Sequence, residues 1–218
     1  MGSLYQLKIL QLIIGVISQK GGVGKSTLSR ALAREAAVSG LKVKLADLDT
    51  QQGTSSNWHL RRLDAGIEPV FSVEAFKTAG QALRAANGYE LMVLDGAARA
   101  SAATLEIARE AALVVQPTGA SVDDLRPAVL TFHELVREGV SKGRLVFALC
   151  KIGTDAEETE ARAYIADAGY AVLPGCIPER PAYRQAQNLG LTITETRFPQ
   201  LNRRADALLQ AVADRLDG

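Results

Sequence analysis

Long hydrophobic runs are missing from this chain of 218 residues. No stretch approaches the roughly 20 apolar residues that span a bilayer. The opening residues show no apolar core followed by a cleavage site, which argues against a secretory leader. Met1-Gly2-Ser3 also lacks the later Ser or Thr of a myristoylation signal, because Gln6 stands there. A surplus of one charge sign is missing too: Lys and Arg number 25 and Asp and Glu 24, for a net charge of +1. Whole-molecule attraction to nucleic acid is therefore not expected, and any such binding needs a local patch. Cysteines are only two, Cys150 and Cys176. Both fall on expected strands and read as core residues of a reducing compartment rather than a disulfide or metal pair. Neither His59 nor His133 has metal-ligand spacing, and no serine has the His/Asp companions of a hydrolytic triad. With no repeat, linker or low-complexity tract, residues 1–218 are expected to form one domain.

What the chain does have is a phosphate loop. Residues 18–27 read Ser-Gln-Lys-Gly-Gly-Val-Gly-Lys-Ser-Thr. The general pattern is G-x-x-x-x-G-K-[ST]. Gly24-Lys25-Ser26 supply its end, but Gln19 replaces its first glycine and a second lysine, Lys20, opens the loop. Gly21, Gly22 and Gly24 let the backbone curl so that its N–H groups, with that of Val23, point at phosphate oxygens. The helix that follows adds its positive end through Ser26 and Thr27. Lys25 is expected to reach the β- and γ-phosphates, and the Ser26 hydroxyl to complete Mg²⁺ coordination.

Strand and helix signals alternate along the rest of the chain. Strands are expected at 11–17, 42–47, 69–72, 90–95, 112–116, 145–150 and 171–176. Ala-rich helical stretches fall near 26–39, 52–63, 74–86, 101–110, 124–138, 156–168, 180–189 and 200–216. This alternation, with strands that are nearly continuous apolar runs, predicts an α/β fold: a mostly parallel, doubly wound sheet with helices on both faces. Two acidic signals close strands. Asp47 and Asp49 lie two residues apart at the end of the second, expected on one side of an extended chain. Asp95 ends Leu91-Met92-Val93-Leu94, in the position of a Walker B carboxylate that contacts Mg²⁺.

These three segments together resemble the ParA/MinD family of deviant-Walker ATPases, most of all its small ParA-type members. KGGVGKST matches the family's phosphate loop, Asp47-Leu48-Asp49-Thr50-Gln51 its D-x-D-x-Q motif, and Leu94-Asp95 its Walker B. The resemblance implies slow Mg²⁺-dependent ATP hydrolysis used as a dimerisation switch. Lys20 would be the signature lysine that reaches the partner subunit's phosphates across a nucleotide-sandwich homodimer. Asp49 would position the hydrolytic water, and Asp47, with Ser26 and Asp95, would support Mg²⁺. Two segments depart from the family pattern. Asp95 is followed by Gly96-Ala97-Ala98-Arg99 rather than a small residue and prolines, and the strand over 145–149 leads to Cys150-Lys151 where an adenine-reading asparagine often stands. Adenine contacts are then expected from Cys150, Lys151, Ile177, Pro178 and Glu179.

The resemblance also implies partners: non-specific DNA, a cargo-side stimulating protein of the ParB kind, and a cytoplasmic, nucleoid-associated place. Only about ten residues precede the first strand, too few for a DNA-binding extension there. The C-terminal stretch 207–218 is small and partly acidic, unlike a membrane-binding amphipathic helix, so no membrane contact is expected. Arg184, Arg203 and Arg204 are the candidate DNA contacts, with salt-sensitive, sequence-blind binding. A further basic pair, Arg61-Arg62, follows Trp58-His59; Trp58 is expected in core or interface, and His59 at the surface. The function that the resemblance implies is partition of plasmid or chromosome DNA, or positioning of a protein cargo; the alternatives are a small-molecule ATP-dependent enzyme on the same fold, of the dethiobiotin-synthetase kind, and a conjugation-associated ParA-like protein.

Overall fold

The structure is a computed structural model, and it describes residues 11–98 and 101–217. Seven strands form one sheet: β1 (Leu12–Val16), β2 (Val43–Asp47), β3 (Ser72–Ala75), β4 (Leu91–Asp95), β5 (Leu113–Thr118), β6 (Leu145–Ile152) and β7 (Ala171–Pro178). Their order is β3-β2-β4-β1-β5-β6-β7, and every pairing is parallel. The helices are α1 (Lys25–Val38), α2 (Thr54–Asp64), α3 (Ala79–Arg84), α4 (Ser101–Glu110), α5 (Val122–Arg137), α6 (Asp155–Asp167), α7 (Pro181–Asn188) and α8 (Pro199–Asp217).

Strand alternation divides the interior into two cores. Val93 and Val115 join α1, α2, α7 and α8 on one face; Met92, Leu94 and Val114 join α3, α4, α5 and α6 on the other. Burial on both faces explains why the strands read as continuous apolar runs. β1 is the middle strand, between β4 and β5, so its carboxyl end sits where the chain turns outward toward both edges. That is where a parallel sheet presents its ligand crevice.

Most elements fall where the sequence places them; the third strand and third helix do not. The strand expected at 69–72 pairs instead over Ser72–Ala75. Pro69 has no N–H to give a ladder, which shifts pairing downstream at this edge of the sheet. The helix expected from 74 begins at Ala79, because Thr78 is extended and its hydroxyl accepts from the Gln81 N–H, making it the cap. α8 packs on the sheet, burying Ala205, Leu208, Leu209 and Val212 against β7 and its neighbours. Among the described residues, no helix is long and apolar enough to cross a membrane.

Candidate nucleotide site

The segment after β1 turns without regular structure into α1, and Gly24 is the N-cap. Its φ of 111° is in the left-handed region that side chains avoid, and an added Cβ would lie 3.4 Å from the Cys150 sulfur. α1 therefore starts with its first amides open, and no side chain caps them. The loop borders a cavity of about 360 Å³. Gly21, Gly22, Gly24, Lys25, Ser26 and Thr27 line it on one side. From the carboxyl ends of β6 and β7, which pair Cys150 with Ile177, come Cys150, Lys151, Ile177, Pro178 and Glu179. The loop and adenine-side expectations thus converge on one cavity; Val23 is buried beneath it.

Two lysines bracket the loop and point to different places. The Lys25 ammonium is buried and donates to the Lys20 carbonyl (3.1 Å), with burial pulling its pKa down while Asp95 and Asp49 resist. Lys20 is nearly half exposed; its ammonium pairs with the Asp124 carboxylate at the start of α5 and donates to the Asp123 carbonyl (3.3 Å). Cys150 is inert: burial pushes its thiol up to about 12. Lys151 adopts φ 58°, rare for a side-chain-bearing residue, with its ammonium 4.0 Å from where a Gly22 Cβ would stand.

The acidic residues separate. Asp49 lines the cavity beside Gln52, whose N–H donates to its Oδ1 (3.2 Å). Asp47, expected beside it, is fully buried and turns elsewhere. Its carboxylate accepts from the N–H groups of Ser55 (3.0 Å), Ser56 (3.1 Å) and Asp49 (3.1 Å), so it caps α2. The same-side argument fails because β2 ends at Asp47 and the extended alternation stops there. Asp47 therefore supports the site through α2 and the Asp49 backbone.

Asp95 fits a cation. One oxygen accepts from the Ser55 hydroxyl (2.7 Å); the other, Oδ1, is buried with no hydrogen-bond partner. Burial raises its pKa, opposed by the Ser55 hydrogen bond and by the nearby Ser26 hydroxyl. An orphaned carboxylate oxygen within reach of the Ser26 hydroxyl is the donor set that a hard, oxygen-seeking Mg²⁺ takes. The next residue, Gly96, comes so close to the Val16 carbonyl that a Cβ would lie 2.9 Å from it. Arg99 lies outside the described residues.

Several partners escape sequence reading. Thr54 meets the Ser26 hydroxyl (3.0 Å), and Gln187 of α7 accepts from Thr27 (3.1 Å) and Arg30 (3.2 Å). Arg30, four residues past Ser26 and so one turn along α1, is buried over Trp58 and lines the cavity. Of the expected DNA contacts, Arg184 lines the cavity, while Arg203 and Arg204 are exposed on α8 away from it. Arg62 leaves the surface set altogether: it is fully buried and bonded to both Glu195 oxygens (2.8 and 3.0 Å). His59 is half-buried against Trp58 and Phe71 rather than at the surface.

Comparison with known proteins gives the same outline. A Gloeobacter kilaueensis protein called maintenance of carboxysome distribution protein A is 29% identical over 206 residues, covering 94% of each chain. MinD from Pyrococcus horikoshii, solved with Mg-ADP, is 19% identical and superposes with a TM-score of 0.73 over 95% of this chain and 98% of its own. A Cyanothece McdA–ATP complex is 16% identical, with a TM-score of 0.70 over 94% and 97%. The description "CobQ/CobB/MinD/ParA nucleotide binding domain" matches residues 14–193, from β1 and its loop to the segment after α7, and the chain belongs to that family.

Proposed function

We propose that this protein is an ATP-hydrolysing dimerisation switch of the ParA type, which holds non-specific DNA while dimeric and positions a cargo. The observation that carries the reading is the division of labour between two lysines on one loop. Lys25 faces its own cavity, whereas Lys20 leaves it and stands half-exposed. A cation that serves only its own subunit's phosphates has no reason to sit outside the cavity.

In this reading the loop amides and Lys25 hold the β- and γ-phosphates. Ser26 and Asp95 Oδ1 would hold Mg²⁺, which would supply positive charge against the phosphates. Asp49 orients the attacking water, and Lys20 enters the partner subunit's site, stabilising charge that develops in the transition state. Ile177, Pro178 and Glu179 enclose the base, with Cys150 and Lys151 on its phosphate side. Arg184, Arg203 and Arg204 meet DNA phosphates. The cargo reading draws support from the relative whose name refers to carboxysome distribution; the cargo would be met through a stimulating partner protein.

Size-exclusion chromatography with light scattering tests this in ATP, ADP and no nucleotide. Wild type should dimerise in ATP alone; Lys20→Gln should bind ATP yet stay monomeric or lose turnover. A Lys20→Gln protein that dimerises and hydrolyses ATP like wild type overturns the reading.

A further inference from the structure

A second cavity, of about 410 Å³, opens beside the nucleotide site between α1, α2 and α7. Arg30, Arg61 and Arg184 line it with the amides of Gln185, Gln187 and Asn188, and among the described residues no carboxylate lines it. Arg30 is held firmly. It is 6% exposed, its Nε donates to Ser55 Oγ (3.2 Å), and its Nη1 donates to Gln187 Oε1 (3.2 Å). Burial pulls its pKa down to about 10; Asp95 opposes this and the Arg61 charge adds to it, and the side chain stays cationic at neutral pH. Among the described residues neither Arg30 nor Arg61 has an ion-pair partner, and Arg184 has only a loose, exposed contact with Glu179 at 3.7 Å. Such an exposed pair is worth little.

Three like charges around one cleft repel one another until an anion arrives. Guanidinium forks match phosphate oxygens, and side-chain amides supply further donors. We infer that the cleft between α2 and α7 is a phosphate-binding site, filled by a backbone phosphodiester of DNA or by a free phosphate ion. The first source rests on the DNA reading proposed above; the second does not. The cleft is distinct from the nucleotide cavity but joined to it. Arg30 and Arg184 line both, and Gln187 Oε1 accepts from Thr27 of the phosphate loop as well as from Arg30.

The cleft has its own reporter. Trp58 is the single tryptophan, and the Arg30 guanidinium lies 5.6 Å from its ring centroid. With Mg-ADP saturating the phosphate loop, inorganic phosphate is titrated while Trp58 emission is followed in wild type, Arg61→Gln and Arg61→Lys. A parallel arm titrates a short random-sequence duplex in ATP, in the Asp49→Ala background. Wild type should show a saturable change. Arg61→Gln should weaken it about tenfold, as expected for one charge-assisted hydrogen bond, and Arg61→Lys should recover most of it. A duplex response that Arg61→Gln weakens, with its salt slope reduced by about 0.9, assigns the site to DNA; a phosphate response alone assigns it to the free ion. No response to either, or an unchanged response in Arg61→Gln, overturns the inference. Gel shifts separate it from the DNA reading: unchanged DNA affinity in Arg61→Gln, with loss in Arg203→Glu/Arg204→Glu, removes the cleft as a DNA contact and leaves that reading standing. DNA binding by no form removes the reading and leaves the phosphate arm to judge the cleft.

Discussion

At the scale of single residues, the two lysines make separable predictions. Lys25 is the one ammonium buried at the loop's helix end, with Asp95 and Asp49 favouring its charged form. Truncating a buried, paired charge costs about 2–5 kcal/mol, so Lys25→Ala should lower ATP affinity by roughly 30-fold or more in calorimetry. Near-normal affinity would remove the phosphate-loop assignment. Asp49→Ala should still bind Mg-ATP and accumulate as a dimer without turnover, because a water-orienting carboxylate acts mainly in the transition state. Lys20 adds a subtler case. Its ammonium is paired with Asp124, at the start of α5, and must leave that carboxylate to enter a partner. The pair is partly exposed and worth at most about 1 kcal/mol. Asp124→Asn should therefore shift the ATP-dependent dimer midpoint toward dimer by a few-fold, read by sedimentation. A midpoint moved toward monomer would mean that Asp124 still serves Lys20, or the interface, after dimerisation. The loop was legible in sequence because glycine spacing and two lysines dictate its backbone locally. Arg30 was not: nothing within α1 marks it as buried, since Trp58, Ser55 and Gln187 come from other elements.

At the scale of elements, legibility followed the same line. β1, β2, β4, β5 and β6 read correctly because burial on both faces leaves a continuous apolar signature. Asp47 and Asp49 misled because their spacing carries meaning only while the strand lasts, and β2 stops at Asp47. Arg62 misled for a different reason: its partner is 133 residues away. Burial pushes Glu195 up, but the Arg62 guanidinium and the Thr192 N–H outweigh it and hold its carboxyl below the usual range. Arg62 also donates to the Gly190 carbonyl (3.1 Å), so the pair ties the segment between α7 and α8 to α2. Removing one member of a buried pair costs about 3–5 kcal/mol. Glu195→Ala should lower stability by that amount in urea unfolding at neutral pH, and Arg62→Met/Glu195→Leu should lose much less. The sign with pH follows from the depressed pKa. Glu195 contributes fully above its unfolded value near 4.3, and that contribution is lost as pH falls through its lower folded value. The stability gap between wild type and Glu195→Ala should therefore narrow below about pH 4. A gap that stays constant into strong acid would show that the ion pair does not carry it.

At the scale of the whole molecule, valency decides what a nearly neutral protein can hold. The net charge is +1, so affinity for DNA must come from patches, and the proposed contacts on one subunit are few: Arg203, Arg204 and the cleft arginines, Arg184 among them. Each phosphate contact contributes a salt slope of about 0.9, and a handful of contacts gives only weak binding at physiological salt. Dimerisation through Lys20 would double the patch without any new contact, so DNA binding should follow nucleotide state rather than concentration of protein alone. The Asp49→Ala dimer in ATP should bind random-sequence duplex, with log K falling against log salt at a slope near −3.6 if roughly four phosphates are neutralised. The ADP form should bind far more weakly. Replacing Arg203 and Arg204 by Glu should weaken every sequence alike and flatten the slope, while calorimetry shows ATP affinity unchanged, because neither residue lines the nucleotide cavity. A trapped dimer that ignores DNA even at low salt would remove DNA from the proposed function. The ATP-driven dimer would then act on protein partners alone, or the ATP-consuming small-molecule chemistry known on this fold would move ahead.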